Sequence, residues 1–395
     1  YEIMPSLVGS EMCIRDRNSM PRIIVIGGGA TGCGVARDLV LRGYKTILVE
    51  SGNLGSGTSS RSHGMLQSGA RYAVTETSFA AECYRERNII SKIFPNAVNL
   101  IGGLFIRSSK DPEDYVEKFL KGCEVAKIPT RDIQVKEVLK IERELNKNIL
   151  RAFYVPDALI YPKNLFDLLA KEIRAYGGKI LTNHQVVSIK ETNGVADSIV
   201  VSHNGVNTNI ECDGIINAAG PWASKVAKLI NQNVELQLTR GCGIFFRGQL
   251  VKKAINRCRT PNNNDIMCPS GEESLWGTTS EVVYDPDTPE TRPEEVIELI
   301  QGAQELFPNI KNYKSFRTWS GVRPLVKPKN INKNLPIPRS HLVIDHKEAG
   351  LDNFLTVCGG ALTTHRLMAE DAVNKLGNKF GINISCSSHI TSLLN

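Results

Sequence analysis

Three glycines and one acid near the start of the chain have the spacing of a dinucleotide-binding site. Gly27, Gly29 and Gly32 form a G-x-G-x-x-G motif, and Glu50 follows it. Glycines permit a tight turn and let the backbone approach a pyrophosphate, which then lies at the positive end of a helix. The acid is placed to accept hydrogen bonds from the adenosine ribose, and its charge would repel the additional phosphate of NADP. These residues therefore predict a dinucleotide cofactor.

The residues around the motif predict the elements that position it. Residues 23–26 are four β-favouring apolar residues, which is typical of a buried parallel strand. Residues 30–42 have helical periodicity, and Gly43 ends that helix. Lys45–Val49 predicts a second strand, so that Glu50 follows its carboxyl end. The order of strand, glycine turn, helix, strand and acid is much stronger evidence than the glycines alone.

A loop of small polar residues, 51–62, comes directly after the acid and continues into the run HGMLQSGARY at residues 63–72. A run of this composition can be a flexible linker. Its position after Glu50 instead favours a loop that wraps the cofactor with hydroxyl and backbone donors.

The motif and the run GSGTSSRSHGMLQSGARYAV at residues 55–74 together resemble the flavin-dependent glycerol-3-phosphate dehydrogenases. The similarity is to their anaerobic-type large subunit, within the wider D-amino-acid-oxidase-like family, and it extends over about residues 20–378. Residues 255–259, 276–279 and 319–324 resemble segments of the same subunit in the sheet and rim of its substrate domain. The resemblance implies an α/β (α+β) fold: a Rossmann-like FAD-binding domain of the glutathione-reductase type and a mixed, mainly antiparallel substrate domain.

The resemblance also implies domain limits. The FAD-binding domain is expected to be discontinuous, in residues 20–75, 155–225 and 336–380, and the substrate domain to occupy residues 76–154 and 226–335. Residues 1–19 are interpreted as a non-native extension that resembles a translated sequencing adaptor. Residues 381–395 are interpreted as a truncated linker, because a C-terminal domain with cysteines for an iron–sulfur centre normally follows in the anaerobic-type large subunit.

Two further turns are predicted to contact the flavin. An apolar strand at residues 214–216 runs into an A-A-G turn, and Gly359-Gly360 precede a C-terminal helix whose positive end suits the charge of a reduced flavin. His63 is interpreted as a cofactor contact rather than a general base. The predicted FAD-binding residues are Gly27, Gly29, Ala30, Thr31, Gly32, Glu50, Ser51, Thr58, Ser59, Ser60, His63, Gly64, Val187, Ala219, Gly220, Trp222, Gly359, Gly360, Leu362 and Thr363.

The substrate residues follow from the resemblance and from the chemistry it implies. Oxidation of sn-glycerol 3-phosphate to dihydroxyacetone phosphate moves a hydride to flavin N5 and a proton from the hydroxyl. A phosphate dianion is best bound by guanidinium groups. Arg323 is predicted to bind the phosphate and Arg339 to lie near the reacting hydroxyl, both as catalytic residues. Arg71, Tyr72 and Thr279 are predicted to bind substrate beside Arg323, and no general base is assigned.

Three positions depart from the family pattern. Ala361 stands where the family usually has lysine, Gln67 where it has histidine, and His365 where it has tyrosine. All three are expected near the substrate, and His365 is interpreted as a helix residue. Two alternatives therefore stay open: an FAD-dependent 2-hydroxy-acid or amino-acid dehydrogenase or oxidase, and a flavin-bound inactive subunit.

Composition limits the partners. The chain of 395 residues has a formal charge of +7, and its basic residues are scattered, which argues against nucleic-acid binding. None of the ten cysteines forms a C-x-x-C pair, so no metal site is predicted. The resemblance implies a cytoplasmic protein, peripheral on the inner face of the cell membrane, that passes electrons to a quinone through partner subunits. Oligomer formation is left open.

Overall fold

The structure is a computed structural model that describes residues 20–287, 290–326 and 338–393. The predicted extension at residues 1–19, the proline-rich connection at 327–337 and the last two residues of the predicted linker lie outside the described residues.

The strands and helices are numbered along the chain. The strands are β1 (Arg22–Ile26), β2 (Lys45–Val49), β3 (Met65–Leu66), β4 (Val98–Asn99), β5 (Gly103–Ser108), β6 (Arg131–Ile133), β7 (Ile149–Val155), β8 (Ala158–Ile160), β9 (Lys179–Leu181), β10 (Gln185–Thr192), β11 (Val195–His203), β12 (Val206–Glu211), β13 (Gly214–Asn217), β14 (Leu236–Arg247), β15 (Ala254–Arg257), β16 (Ile266–Ser270), β17 (Glu273–Gly277), β18 (Glu281–Val283), β19 (Ser315–Val326), β20 (His341–Asp345) and β21 (Phe354–Gly359). The helices are α1 (Ala30–Leu41), α2 (Thr77–Ile93), α3 (Asp114–Val125), α4 (Val135–Ile141), α5 (Pro162–Ala175), α6 (Ala223–Lys228), α7 (Pro293–Ala303) and α8 (His365–Phe380).

A six-stranded sheet in the order β20-β21-β13-β1-β2-β9 carries the glycine motif. All its neighbouring strands are parallel except the edge pair β20 and β21. Helices α1, α5 and α8 pack against it around a fully buried apolar core. Because the carboxyl ends of parallel strands meet at one edge, the glycine turn, Glu50, the turn after β13 and the Gly359-Gly360 turn gather there. The predicted order of strand, turn, helix, strand and acid is confirmed.

A second, larger sheet has the strand order β18-β14-β17-β16-β15-β5-β7-β6, and β19 also pairs with β14. Its pairings are antiparallel except the parallel pair β5 and β15. One face packs on α7 through an apolar core that includes Trp276, Phe246 and Leu299. The mixed, mainly antiparallel second sheet that the resemblance implied is confirmed.

The strands of the two sheets fall in the segments predicted for the two domains. Those of the six-stranded sheet come from the start, the middle and the end of the chain, and those of the larger sheet from residues 103–155 and 236–326. The domain limits themselves stay a prediction. Residues 381–393 do not extend away from the fold, because buried Arg37 on α1 donates to the carbonyls of Ser388 and Thr391.

The structure adds three findings on the helices. Helix α2, with 17 residues, was not predicted at all. Helix α7 begins at Pro293 and ends at Ala303. Helix α5 begins at Pro162, where a proline at the first helical position needs no N–H partner. Within the described residues, no helix is long and apolar enough to cross a membrane.

Candidate functional site

The glycine turn has the shape that a bound pyrophosphate requires. Gly27 has φ +107°, and a Cβ added there would lie 2.6 Å from the carbonyl oxygen of Ala218. A Cβ on Gly32 would overlap the carbonyl oxygen of Gly27. Gly29 is the residue before α1, and among the described residues a Cβ there would meet only the Ser59 hydroxyl, at 3.2 Å. The first N–H groups of α1 therefore lie close to an open space, where they favour an anion.

Glu50 is fixed at the end of β2 by the same turn. Its Oε2 accepts a hydrogen bond of 2.6 Å from the N–H of Gly28, and its Oε1 accepts one of 2.7 Å from the N–H of Gly52. Ser51 also donates to Oε1, at 3.2 Å. The carboxylate thus has a single orientation before any ligand binds, and Gly28 joins the site as a residue that the sequence interpretation did not include.

The polar loop joins the two sheets. The Ser59 hydroxyl accepts a 3.0 Å hydrogen bond from the N–H of Ala30, and the Thr58 hydroxyl donates to the carbonyl oxygen of Val322 on β19, at 2.6 Å. The loop is therefore held both at the start of α1 and on the larger sheet. This supports the interpretation of a cofactor-wrapping loop over that of a flexible linker.

A cavity opens between the loop, the larger sheet and the Gly359-Gly360 turn. It collects most of the residues predicted to bind the flavin ring or the substrate. Its lining consists of Ala30, Thr31, Thr58, Ser59, Arg61, Ser62, His63, Met65, Gln67, Arg71, Tyr72, Ile266, Gly277, Thr278, Trp319, Arg323, Pro324, Leu325, Arg339, Gly359, Gly360, Ala361, Leu362 and Thr363. None of these described residues is acidic, whereas four are arginines.

Arg323 is a cavity cation that is hydrogen-bonded only to neutral groups among the described residues. Its guanidinium donates to the Thr278 hydroxyl at 2.7 Å and to the carbonyl of Thr279 at 3.4 Å. It forms no ion pair among the described residues. Burial, followed by the charges of Arg339 and Arg71, lowers the pKa of Arg323 to about 10. It therefore remains charged at neutral pH, and a bound anion would relieve the repulsion.

The other two predicted arginines differ in how far they are already paired. Arg71 donates to Asp265, at 3.2 Å, and to the carbonyl oxygen of Asn262, at 2.9 Å, so its charge is largely compensated. The backbone N–H of Arg339 donates to Glu76, at 2.7 Å, but its guanidinium forms no ion pair with a described residue. Arg323 and Arg339 are therefore available to an anionic ligand, and Arg71 is more constrained.

Thr279, which was predicted to bind substrate, does not line the cavity, whereas the preceding residue, Thr278, does. Thr279 is 3 % exposed, its hydroxyl donates to Glu295 at 2.9 Å, and it accepts from the N–H of Cys242 at 3.0 Å. These bonds turn the side chain away from the cavity, so the geometry does not support the predicted contact with substrate. Thr278, which orients Arg323, lines the cavity instead.

We expect the two threonines to respond differently to replacement by valine. Thr278→Val removes one hydrogen bond that orients Arg323, worth about 0.5–1.5 kcal/mol, and should raise the KM for the substrate roughly 2- to 12-fold. Thr279→Val breaks the buried hydrogen bonds of Thr279 to Glu295 and Cys242, so it should lower the melting temperature. It should leave the KM unchanged. Steady-state kinetics and thermal unfolding of both variants check this; an unchanged KM in Thr278→Val would contradict the role of Thr278.

Several buried polar atoms at the cavity lack partners in the described chain. They are His63 Nε2, Gln67 Oε1 and the indole nitrogen of Trp319. The rings of His63 and Trp319 lie edge to face, 6.1 Å apart. Since buried polar atoms in folded proteins are normally hydrogen-bonded, three orphans at one cavity indicate that a ligand supplies the missing partners.

The environment of His63 argues against a role as general base. Burial, then the charges of Arg71 and Arg323, lower its pKa to about 3. A base is most effective when its pKa is near the working pH, so neutral His63 is better suited to a hydrogen bond with a cofactor. His365 is the first residue of α8, as predicted, and its Nδ1 bonds the carbonyl of Leu362 at 2.8 Å. Burial lowers its pKa to about 4.

Some predicted FAD-binding residues lie outside the cavity lining. They belong to the dinucleotide turn, the polar loop and the turn after β13: Gly27, Gly29, Gly32, Glu50, Ser51, Ser60, Gly64, Ala219, Gly220 and Trp222. Val187 lies at an irregularity in β10 and is 39 % exposed, shortly after His184, whose N–H donates to the carbonyl of Glu50. The indole N–H of Trp222 donates to Asp287 at 2.7 Å. Direct FAD contacts of these residues stay predictions.

Arg61 and Trp319 were not predicted as site residues but line the cavity. Both belonged to runs already singled out in the sequence, residues 55–74 and 319–324. Sequence periodicity alone does not tell which members of such runs face inward, because that depends on the pairing of β14 with β19.

The profile of one protein family, described as FAD dependent oxidoreductase, matches residues 22–374. The chain belongs to this family. A subunit of the anaerobic glycerol-3-phosphate dehydrogenase of Haloferax volcanii is 34 % identical over 93 % of this chain and 65 % of its own length. The corresponding subunit of the Escherichia coli K12 enzyme is 35 % identical over 95 % of this chain and 70 % of its own length. The chain thus spans about two thirds of these relatives.

A solved structure of similar fold is the glycerol-3-phosphate dehydrogenase from Bacillus halodurans complexed with FAD. It superimposes with a TM-score of 0.72, covering 96 % of this chain and 69 % of its own, at 22 % identity. This likeness supports the fold.

The site of this FAD-dependent oxidoreductase fits its cofactor. The turn at Gly27 and Gly32 leaves room for a backbone approach, the start of α1 offers N–H groups, and Glu50 is pre-oriented beside it. At the other end, Gly359 and Gly360 both have positive φ, +79° and +70°, and the 3-10 turn Leu362–Thr364 connects them to α8. The unpartnered atoms of His63, Gln67 and Trp319 lie at the cavity between these two ends. FAD is the cofactor of this chain.

Proposed function

We propose that this protein oxidises sn-glycerol 3-phosphate to dihydroxyacetone phosphate with FAD as the oxidant. The observation that carries the proposal is the pair Arg323 and Arg339: two guanidinium groups that form no ion pair with a described residue, in a cavity whose described lining has no acid. Together, these two guanidinium groups can neutralise the two negative charges of a phosphate monoester. The names of the relatives from H. volcanii and E. coli point to the same substrate.

When bound, FAD supplies the acceptor for the hydride that leaves the carbinol carbon of the substrate. Arg323 binds the phosphate through paired hydrogen bonds, since Thr278 already orients its guanidinium. Arg339 lies near the reacting hydroxyl and stabilises the negative charge that develops on its oxygen as the proton leaves. Arg71 and Tyr72 line the same cavity.

The electron acceptor belongs to the proposal as well. The relatives from H. volcanii and E. coli are named as single subunits of a dehydrogenase, which implies partner chains. Electrons would pass through such partners to a quinone at the inner face of the membrane. Ala361, at the cavity, replaces a usual lysine, and the proposal requires that Arg323 and Arg339 suffice without it.

The test is an anaerobic titration of the purified yellow protein with sn-glycerol 3-phosphate, recording the absorbance of oxidised flavin. Stoichiometric bleaching, inhibited competitively by inorganic phosphate, is expected. The stereoisomer sn-glycerol 1-phosphate is a matched control, since it carries the same charge. No bleaching by the 3-phosphate, together with full reduction by dithionite, would contradict the proposal and direct attention to 2-hydroxy acids and amino acids. If none of these compounds reduced the flavin, the result would favour the alternative that the protein is an inactive subunit.

A further inference from the structure

A buried asparagine of the larger sheet, one strand away from the cavity residue Ile266, has no hydrogen-bond partner for either end of its amide among the described residues. Asn256 lies on β15, is 1 % exposed, and both its Nδ2 and its Oδ1 are unpartnered. The other two buried asparagines among the described residues, Asn217 and Asn353, have partners for both ends of their amides. Asn353, for example, donates to the carbonyls of Ala196 and Asp213 and accepts from the N–H of Ala196, all at 2.8 Å. A fully unpaired amide in a protein interior costs folding free energy, and it needs an explanation.

The register of the larger sheet places Asn256 on the cavity face. Asn256 pairs with Ile266 on β16, Ile266 with Gly277 on β17, Gly277 with Gly243 on β14, and Gly243 with Trp319 on β19. Residues directly opposite each other across a sheet project from the same face. The cavity is lined by three members of this series of cross-strand partners, Ile266, Gly277 and Trp319. Asn256 belongs to the same series and therefore projects from the same face of the sheet.

The neighbouring row confirms this assignment of faces. Ile255 pairs with Met267, Met267 with Trp276, and Trp276 with Ile244. All four belong to the apolar core on the opposite face of the sheet, against α7. The amide of Asn256 therefore does not belong to that core, and it projects from the same face of the sheet as its strand partner Ile266, which lines the cavity.

We propose that Asn256 is a further substrate-binding residue, whose amide hydrogen-bonds the uncharged, hydroxyl-bearing part of the substrate. The inference rests on the proposed function and extends it. The arginines of the cavity supply donors alone, which suit the phosphate. The hydroxyl groups of a polyol need acceptors as well as donors, and an asparagine amide presents both.

Asn256→Leu separates this role from a structural one. The leucine has a similar size and removes the unpartnered amide, so the substrate-free holoenzyme should unfold at the same temperature as the wild type or higher. The Kd for sn-glycerol 3-phosphate, from the concentration dependence of anaerobic flavin reduction, should rise about 10-fold, because substrate hydroxyls lose their partner. The Kd for inorganic phosphate, from perturbation of the flavin spectrum, should stay within about twofold of wild type, the ordinary scatter of context effects.

Asn353→Leu is the matched control. It removes a buried amide that is fully satisfied, so it should lower the melting temperature by several degrees and leave the Kd for sn-glycerol 3-phosphate unchanged. If Asn256→Leu does not fold, the Kd values for sn-glycerol 3-phosphate and inorganic phosphate are measured with Asn256→Ala instead, with the same expected results.

Three results would overturn the assignment: an unchanged Kd for sn-glycerol 3-phosphate in Asn256→Leu, an equal weakening of both ligands, or a loss of stability like that of Asn353→Leu. The last would indicate a structural amide bound to ordered water. A wild-type flavin that sn-glycerol 3-phosphate does not reduce would overturn the proposed function and this assignment together. Normal reduction of both proteins would overturn only the role of Asn256.

Discussion

Replacing Arg323 by methionine should abolish efficient oxidation of sn-glycerol 3-phosphate while the protein stays yellow and folded. The guanidinium is oriented by Thr278 and has no carboxylate partner in the described chain, so its binding capacity is available to the substrate. Losing paired, charge-assisted hydrogen bonds costs about 3 kcal/mol, which corresponds to a decrease of roughly 150-fold in kcat/KM. Removing an unpaired, partly buried charge should not lower the melting temperature.

The same strand offers a matched control for this variant. Arg317 also lies on β19, but it is 49 % exposed and pairs with Glu273 at 2.7 Å. Arg317→Met removes the same number of atoms and the same charge at a distance from the cavity, so kcat/KM should change little. The measurement is steady-state kinetics with an artificial electron acceptor, together with flavin content and thermal unfolding. Equal losses in the two variants would show that overall charge, rather than the position of Arg323, determines the rate.

Local sequence patterns were sufficient to predict those parts of the fold that are determined by residues close together in the sequence. The glycine turn, α1 and β2 are specified by residues within one short stretch, and Glu50 is bonded to Gly28 within that same stretch. Helix α2 could not be recognised in this way. Its buried Glu86 interrupts the apolar face that periodicity requires, and this acid is tolerated because it pairs with Arg366, 280 positions away.

The substrate side of the site depends on strand register, which the sequence does not display. Thr278 and Thr279 are adjacent in sequence, yet one orients Arg323 and the other bonds Glu295 on α7. A shift of one residue in the pairing would exchange them. Asn256 likewise acquires its position from the row that it shares with Ile266 across β15 and β16. The cofactor half of the site could therefore be predicted in more detail than the substrate half.

Substituting the glycines of the dinucleotide turn should separate a loss of FAD from a loss of fold. A Cβ on Gly32 would overlap the backbone of Gly27, whose N–H is tied to the carbonyl of Val49 at 2.8 Å, so the turn must open. Gly32→Ala should therefore purify without FAD and lose about 1–3 kcal/mol of unfolding free energy. Gly29→Ala adds a methyl group that meets only the hydroxyl of Ser59, at 3.2 Å, among the described residues.

Gly29→Ala is the decisive member of this series, because its methyl group would occupy the space in front of α1 rather than the interior. The apoprotein should be as stable as the wild type, while FAD binds at least about 10-fold more weakly, as expected if the pyrophosphate approaches this backbone. Gly52→Ala is the control, since its Cβ would lie 3.1 Å from the rotatable hydroxyl of Ser56. Calorimetric titration of each apoprotein with FAD, with thermal unfolding of the same samples, measures both quantities. If Gly29→Ala bound FAD as tightly as Gly52→Ala, the pyrophosphate would have to lie elsewhere than at the start of α1.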